Sequence, residues 1–250
     1  MNKSKIAWTD YSGGCGNFVL RGKAKGDCEI SPGCTNCYAG GIRRRSGCTP
    51  DQTTYSEQKL QKLSKWHPKD DDNKQGPGTR PMVFVVDMGD LFHHRVHDDF
   101  ILRAFDVMAD RSDIDFQVLT KRPERMASLI RSVPEHIWIG TTCENQQIAD
   151  QRIPHLQSIN ASVRFLSVEP MLGPVTLDLV GIGWVICGGE SGGKRRPFQK
   201  EWAIDLWRQC KAAGVPFFFK QGSHLYPGRD DLLDGESVKE WPISVGPLPE

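Results

Sequence analysis

Short apolar runs alternate with stretches of helical periodicity along the last two thirds of the chain. Runs of three to six apolar residues, each bounded by turn-forming residues, are typical of strands buried on both faces of a parallel sheet. The predicted strands are Met82–Val86, Phe116–Leu119, Ile137–Gly140, Val163–Val168, Trp184–Cys187 and Phe217–Phe219. Apolar residues recur at helical spacing between them, which predicts the helices Asp99–Ala109, Pro123–Ser132, Gln146–Gln157 and Lys200–Ala213.

Strands that alternate with helices indicate βαβ units. A further strand is expected near Asn17–Leu20 or Asp27–Ile30, which brings the parallel strands to six or seven. The pattern predicts an α/β fold, a partial or complete (β/α) TIM-like barrel, with residues 1–250 in one domain. Residues 1–80 show little periodicity, and the polar run Lys69–Gly78 within them predicts a solvated insertion.

Polar residues follow nearly every predicted strand. In parallel α/β folds the loops after the strands converge at one edge of the sheet, where ligands bind. The residues at this edge are therefore predicted to form a cofactor-binding site. They are Asp87, Asp90, Lys121, Glu144, Glu169, Gly188, Gly189, Glu190 and Lys220.

The balance of basic and acidic residues limits the kinds of partner that the protein is expected to bind. With 32 basic and 31 acidic residues the net charge is +1, which does not favour coating of nucleic acid by bulk charge. Two compact basic segments, Arg43–Arg45 and Lys194–Arg196, still offer contacts to a phosphate backbone, although solvated loop charge explains them equally. Without an apolar leader or a run of about eighteen apolar residues, the chain is expected to be cytoplasmic and away from membranes.

Three of the eight cysteines lie within ten residues of one another, in the segment C-E-I-S-P-G-C-T-N-C-Y. Cys28, Cys34 and Cys37 are predicted to converge on one metal, since disulfides would leave one thiol unpaired. An iron–sulfur cluster would use three thiolates and leave one iron open, whereas zinc would take Cys15 or Cys48 as a fourth ligand. Cys187 and Cys210 lie in apolar patterns and are predicted to be core residues.

The cysteine segment, with Tyr38 directly after it, resembles the cluster loop of radical S-adenosylmethionine (SAM) enzymes, although the first gap holds five residues instead of three. The chain more closely resembles a phage and bacterial family of unknown function that carries a three-cysteine motif and is grouped with radical SAM barrels. Seven segments carry this resemblance: I-A-W-T-D (6–10), S-P-G-C-T-N-C-Y-A (31–39), D-M-G-D-L-F (87–92), L-T-K-R-P (119–123), S-V-E-P-M-L-G-P (167–174), G-G-E-S-G (188–192) and F-F-F-K-Q (217–221).

The resemblance implies that Cys28, Cys34 and Cys37 ligate a [4Fe–4S] cluster whose open iron binds SAM. Reductive cleavage would then give a 5′-deoxyadenosyl radical that abstracts a hydrogen from the substrate. Asp87 or Asp90 stands where such enzymes carry the segment that binds the SAM amino group. The implied partners are an electron donor and a neighbouring-gene three-Cys-motif partner protein.

A likeness to the spore photoproduct lyase branch implies modification or repair of a nucleic-acid base. The alternative is a phage accessory or nucleic-acid-binding protein that holds zinc or a cluster without catalysis.

Overall fold

The computed structural model describes residues 1–22, 30–37, 52–68 and 80–242. The elements in the first part of the chain are short. Strands β1 (Asn2–Lys3) and β2 (Tyr11–Ser12) form a hairpin, and β3 (Val19–Leu20) pairs antiparallel with β4 (Thr54–Tyr55). Helix α1 (Glu57–Ser64) follows.

The rest of the chain alternates between strands and helices as the apolar pattern predicts. The elements in order are β5 (Met82–Phe84), α2 (Asp98–Ala109), β6 (Asp115–Thr120), α3 (Pro123–Leu129), β7 (Ile137–Thr142), α4 (Gln146–Gln157), β8 (Arg164–Val168), β9 (Trp184–Gly188), α5 (Lys200–Ala213) and β10 (Phe217–Gln221). The connection from β8 to β9, residues 169–183, contains no helix, so the strand–helix alternation is interrupted there.

Eight strands form one sheet in the order β1-β2-β5-β6-β7-β8-β9-β10. The pairs from β2 to β10 are all parallel, and β1 is antiparallel at one edge. At the other edge Phe219 and Phe217 exchange backbone hydrogen bonds with Val238 and Glu240, so the C-terminal segment covers β10. The fold is therefore a mixed α/β structure with a curled, half-barrel sheet of mostly parallel strands.

Both faces of the sheet are buried, which explains the continuous apolar runs. Alternate residues such as Val118 and Ile139 face the helices in the larger core. The residues between them face the inside of the curl, where an aromatic cluster forms. Its large members are Trp8, Phe84, Trp138, Phe165, Trp184 and Phe218.

Two predictions for the elements need correction. The segment near Asn17–Leu20 contains β3, but β3 belongs to the separate two-stranded sheet, and β2 instead lies beside β5. Helix α3 ends at Leu129 and not at Ser132, because Ile130 is already extended and Ser132 forms a parallel bridge with Asn160. The other proposed site for that strand, 27–30, lies outside the described residues except for Ile30, and the predicted insertion 69–78 lies outside them entirely.

Helix α1 was not predicted, because its sequence E-Q-K-L-Q-K-L-S contains only two apolar residues. Both of them, Leu60 and Leu63, are buried, and the Ser56 side chain accepts a hydrogen bond from the Lys59 backbone N–H at the start of the helix. Among the described residues, no helix combines the length and the apolar character needed to cross a membrane.

Candidate functional site

A cavity of about 220 Å³ lies at the edge where the parallel strands end. This carboxyl edge is where the sequence predicts a site. Most of the predicted residues line the cavity, namely Cys34, Cys37, Asp87, Asp90, Lys121, Glu169, Gly189, Glu190 and Lys220. The structure thus brings two of the three motif cysteines together with polar residues from β5, β6, β8, β9 and β10.

Two of the predicted residues that the structure describes do not line this cavity. Glu144 is fully buried beside it, and Gly188 lies at the end of β9 against the Glu169 side chain. Cys28 lies outside the described residues, as do Tyr38, Cys48 and the basic segment Arg43–Arg45. The side chain of Cys15 is likewise not described. Among the residues that are described, no three His, Cys, Asp or Glu side chains are grouped closely enough to hold a metal ion.

One part of the cavity wall is apolar. Ile6, Trp8, Phe84 and Leu119 line it, and the Trp8 ring packs at 4.7 Å, centroid to centroid, from Phe84. This wall continues into the aromatic cluster inside the curled sheet. A ligand in the cavity would therefore meet both charged groups and flat apolar rings.

Glu144 is the centre of a buried charge network. Its Oε1 accepts from Lys121 Nζ at 2.9 Å, and its Oε2 accepts from Arg152 Nη1 at 3.0 Å. Although burial opposes ionisation, the two cations outweigh it and hold the pKa of Glu144 at about 2. Glu144 is therefore an anion at neutral pH and cannot donate a proton there.

The same carboxylate holds the cysteine loop, residues 31–37. The Ser31 hydroxyl donates to Glu144 Oε1. Gly33 packs so closely that a Cβ at that position would lie 2.5 Å from the Glu144 side chain, whose position the two cations fix. Only glycine permits this approach. Glu144 thus links β7 to the loop, and its contact with a cofactor stays a prediction.

A second contact holds the other side of the cysteine loop. Glu190 pairs with the Arg196 guanidinium and accepts from Asn36 Nδ2 at 3.1 Å. Arg196 Nη1 also donates to the carbonyl oxygen of Pro32 at 3.0 Å. Burial raises the pKa of Glu190, but the hydrogen bonds from Arg196 and Asn36 lower it more strongly, and the net shift is downward. The carboxylates of Glu144 and Glu190, which follow different strands, therefore fix the cysteine loop from both sides.

The two aspartates after β5 are engaged within the protein. Asp90 accepts from the Thr120 hydroxyl at 2.7 Å and from Arg122 Nη1 at 2.8 Å, and it also accepts from backbone amides. Asp87 accepts from the Gly14 backbone N–H at 2.9 Å and from the Asn17 side chain. These bonds fix the loop after β5 against β6 and against the N-terminal turn at Gly14–Gly16.

Glu169 and Lys220 form an ion pair across the cavity wall, with 2.9 Å between Oε1 and Nζ. Gly188 makes room for this carboxylate, since a Cβ there would lie 2.8 Å from Glu169 Oε1. Both side chains remain partly exposed, at 14% for Glu169 and 25% for Lys220. This pair is therefore accessible to a ligand, unlike the Glu144 carboxylate, which is fully buried.

The described cysteines fall into two groups. Cys34 and Cys37 line the cavity, and Cys34 Sγ lies 3.7 Å from the Ser31 hydroxyl. Cys143, Cys187 and Cys210 are fully buried, and burial raises the pKa of each thiol, to about 12 for Cys143 and Cys210. The prediction that Cys187 and Cys210 are core residues is confirmed.

Sequence reasoning missed the residues that hold the cysteine loop. Ser31 and Asn36 lie inside the motif, but their partners are 113 and 154 residues away along the chain. Arg196 was interpreted as part of an exposed basic segment, whereas its side chain turns inward to Glu190. In the sequence, the pairing of Glu190 with Arg196 was indicated only by the short spacing between these two residues on one loop.

The architecture and the site define a class: an α/β protein whose half-barrel sheet presents a charged, thiol-lined cavity at the carboxyl ends of its strands. A sequence model of the family described as "Protein of unknown function (DUF5131)" matches residues 3–241, so the chain belongs to that family. Comparison with curated proteins and with solved structures gave no match.

Proposed function

We propose that this protein is an iron–sulfur protein resembling radical SAM enzymes, in which Cys28, Cys34 and Cys37 hold a [4Fe–4S] cluster. The observation that carries the proposal is that Cys34 and Cys37 line the same cavity as the charged residues at the carboxyl ends of five strands. In this proposal the half-barrel sheet is the partial form of a (β/α) TIM-like barrel.

The donor chemistry of the site fits such a cluster. Thiolates are the usual ligands of iron–sulfur clusters, and both described motif cysteines line the cavity, whereas the other three described cysteines do not. When bound, a reduced cluster supplies one electron for the reductive cleavage of SAM. Cys28 would be the third ligand, which leaves one iron open for SAM.

The residues of the chain would position both groups. Glu144 and the Glu190–Arg196 pair fix the cysteine loop over the cavity. The Glu169–Lys220 pair presents one carboxylate and one ammonium to the cavity, a complement to the amino and carboxylate groups of SAM. The apolar wall formed by Trp8 and Phe84 offers a surface for a planar ring.

For the substrate we propose a nucleic-acid base. Lys194 and Arg195 are exposed on the loop that also carries Glu190, and that loop borders the cavity. They are placed to contact a phosphate backbone while a base enters the cavity. Arg196 does not contribute to this surface, because it pairs with Glu190.

We expect the anaerobically reconstituted protein to cleave SAM when reduced with dithionite. The products to be measured by liquid chromatography are 5′-deoxyadenosine and methionine, in multiple turnovers over hours. Cys34→Ala protein treated in the same way is the control and should give none. If the wild type carries a cluster and binds SAM but never cleaves it, the catalytic part of the proposal is wrong and a binding or sensing role remains.

A further inference from the structure

Arg21 lies on the wall of the cavity beside the loop after β5. Its backbone N–H donates to the carbonyl oxygen of Met88 at 3.2 Å. Gly89 packs against the same strand end, since a Cβ there would lie 2.9 Å from the carbonyl oxygen of Val19 and 3.3 Å from the Arg21 backbone nitrogen. The backbone that carries Arg21 is therefore fixed, and its side chain lines the cavity.

The Arg21 guanidinium lacks an acceptor in the described part of the chain. Its Nε is buried and has no hydrogen-bond partner there. A buried donor without an acceptor costs free energy, and the cost is larger for a charged group. An unpaired donor of this kind is expected where a ligand supplies the acceptor.

The other charged groups that line the cavity have partners. Lys121 pairs with Glu144, Arg122 with Asp90, and Lys220 with Glu169. Glu190 pairs with Arg196. Arg21 thus differs from its neighbours, because a ligand that binds it does not have to break an ion pair with any of the residues that the structure describes.

The position of Arg21 defines the ligand further. The apolar wall formed by Ile6, Trp8, Phe84 and Leu119 lines the same cavity. A guanidinium binds the two oxygens of a carboxylate or phosphate in a bidentate manner, and aromatic rings bind flat apolar groups. We propose that Arg21 anchors an anionic oxygen group, a phosphate or a carboxylate, of a ligand whose flat apolar part lies against this wall.

The test uses the protein as purified and measures ligand affinity instead of turnover, so its result does not depend on the proposed cluster chemistry. The probes are deoxythymidine 5′-monophosphate, deoxythymidine without the phosphate, and S-adenosylhomocysteine, which carries a carboxylate and no phosphate. Isothermal titration calorimetry on the wild type, Arg21→Ala, Arg21→Gln and Arg21→Lys gives the affinities. Arg103→Ala is the matched control, because Arg103 is half-exposed in an ion pair with Glu57 and does not line the cavity.

We expect at least one anionic probe to bind the wild type and to lose about tenfold or more in affinity in Arg21→Ala and Arg21→Gln. Arg21→Lys should lose less, because it keeps the charge but not the bidentate geometry, and Arg103→Ala should bind like the wild type. A loss confined to the nucleotide identifies a phosphate as the anion, and a loss confined to S-adenosylhomocysteine identifies a carboxylate. The proposal is wrong if no anionic probe binds the wild type at millimolar concentration, or if both folded variants without the charge bind as the wild type does.

Discussion

Glu144→Gln is expected to lower the free energy of unfolding by about 3–5 kcal/mol. Glu144 is fully buried and compensates two cations, Lys121 and Arg152, whose side chains are 23% and 7% exposed. The substitution keeps the shape of the side chain but removes its charge, so Arg152 is left buried without a counterion. It also removes the charged acceptor of the Ser31 hydroxyl, and the cysteine loop loses its attachment to β7.

Urea denaturation followed by circular dichroism measures this loss. The matched control is Glu57→Gln, because Glu57 forms a surface ion pair with Arg103 in which both side chains are about half exposed. Such pairs contribute about 1 kcal/mol or less. Equal losses in the two variants would contradict the central role of Glu144.

The pH dependence of stability gives an independent check on Glu144. Its pKa is about 2 in the folded protein and lies near the ordinary value of 4.5 in the unfolded chain. The charge network therefore contributes its full stabilisation above pH 4.5 and loses it as the pH falls toward 2, by about 3 kcal/mol in total. Glu144→Gln has no carboxylate at this position to protonate, so its free energy of unfolding should fall less as the pH is lowered. The curves of stability against pH for the wild type and Glu144→Gln should therefore converge at low pH. Curves that stay parallel would show that Glu144 does not titrate in this way.

Cys34→Ala and Cys37→Ala are expected to remove most of the bound metal while leaving the chain folded. Each change would remove one of the three proposed metal ligands, and both cysteines line the cavity. Metal content per chain, measured by elemental analysis after anaerobic purification, is the readout, and circular dichroism confirms the fold.

Cys210→Ala is the control for these variants. Cys210 lies on α5 with no exposed surface, and burial raises the pKa of its thiol to about 12, so it is not a thiolate at neutral pH. Its substitution should change stability modestly and leave the metal content unchanged. If Cys34→Ala and Cys37→Ala keep as much metal as Cys210→Ala, the cysteine loop is not the metal site.

The strands and helices of residues 82–221 were predictable because burial on both faces of the sheet gives uninterrupted apolar runs. Phe217–Phe219 is an example, since Phe218 packs inside the curl and its two neighbours pack under the helices. Such runs do not report which strands are neighbours. The sequence therefore does not reveal that β2, only two residues long, lies beside β5, or that residues 238–240 cover β10.

The sequence predicted where the candidate site lies but not what each of its residues does. Polar residues after parallel strands meet at one edge in any such sheet, so the rule places Asp90, Lys121 and Glu169 together without information on their partners. The roles follow from pairings between distant segments. Asp90 is surrounded by donors from β6 and α3, and Glu144 contacts a loop 113 residues earlier in the chain.

Iron, acid-labile sulfide and zinc content of the wild-type protein, purified without oxygen, tests the central claim most directly. The proposed cluster predicts a brown protein with about four iron atoms and about four sulfides per chain. Its reduced form should give an electron paramagnetic resonance signal that changes when SAM is added. A colourless protein with about one zinc per chain and no iron or sulfide would contradict the claim and favour a structural metal site.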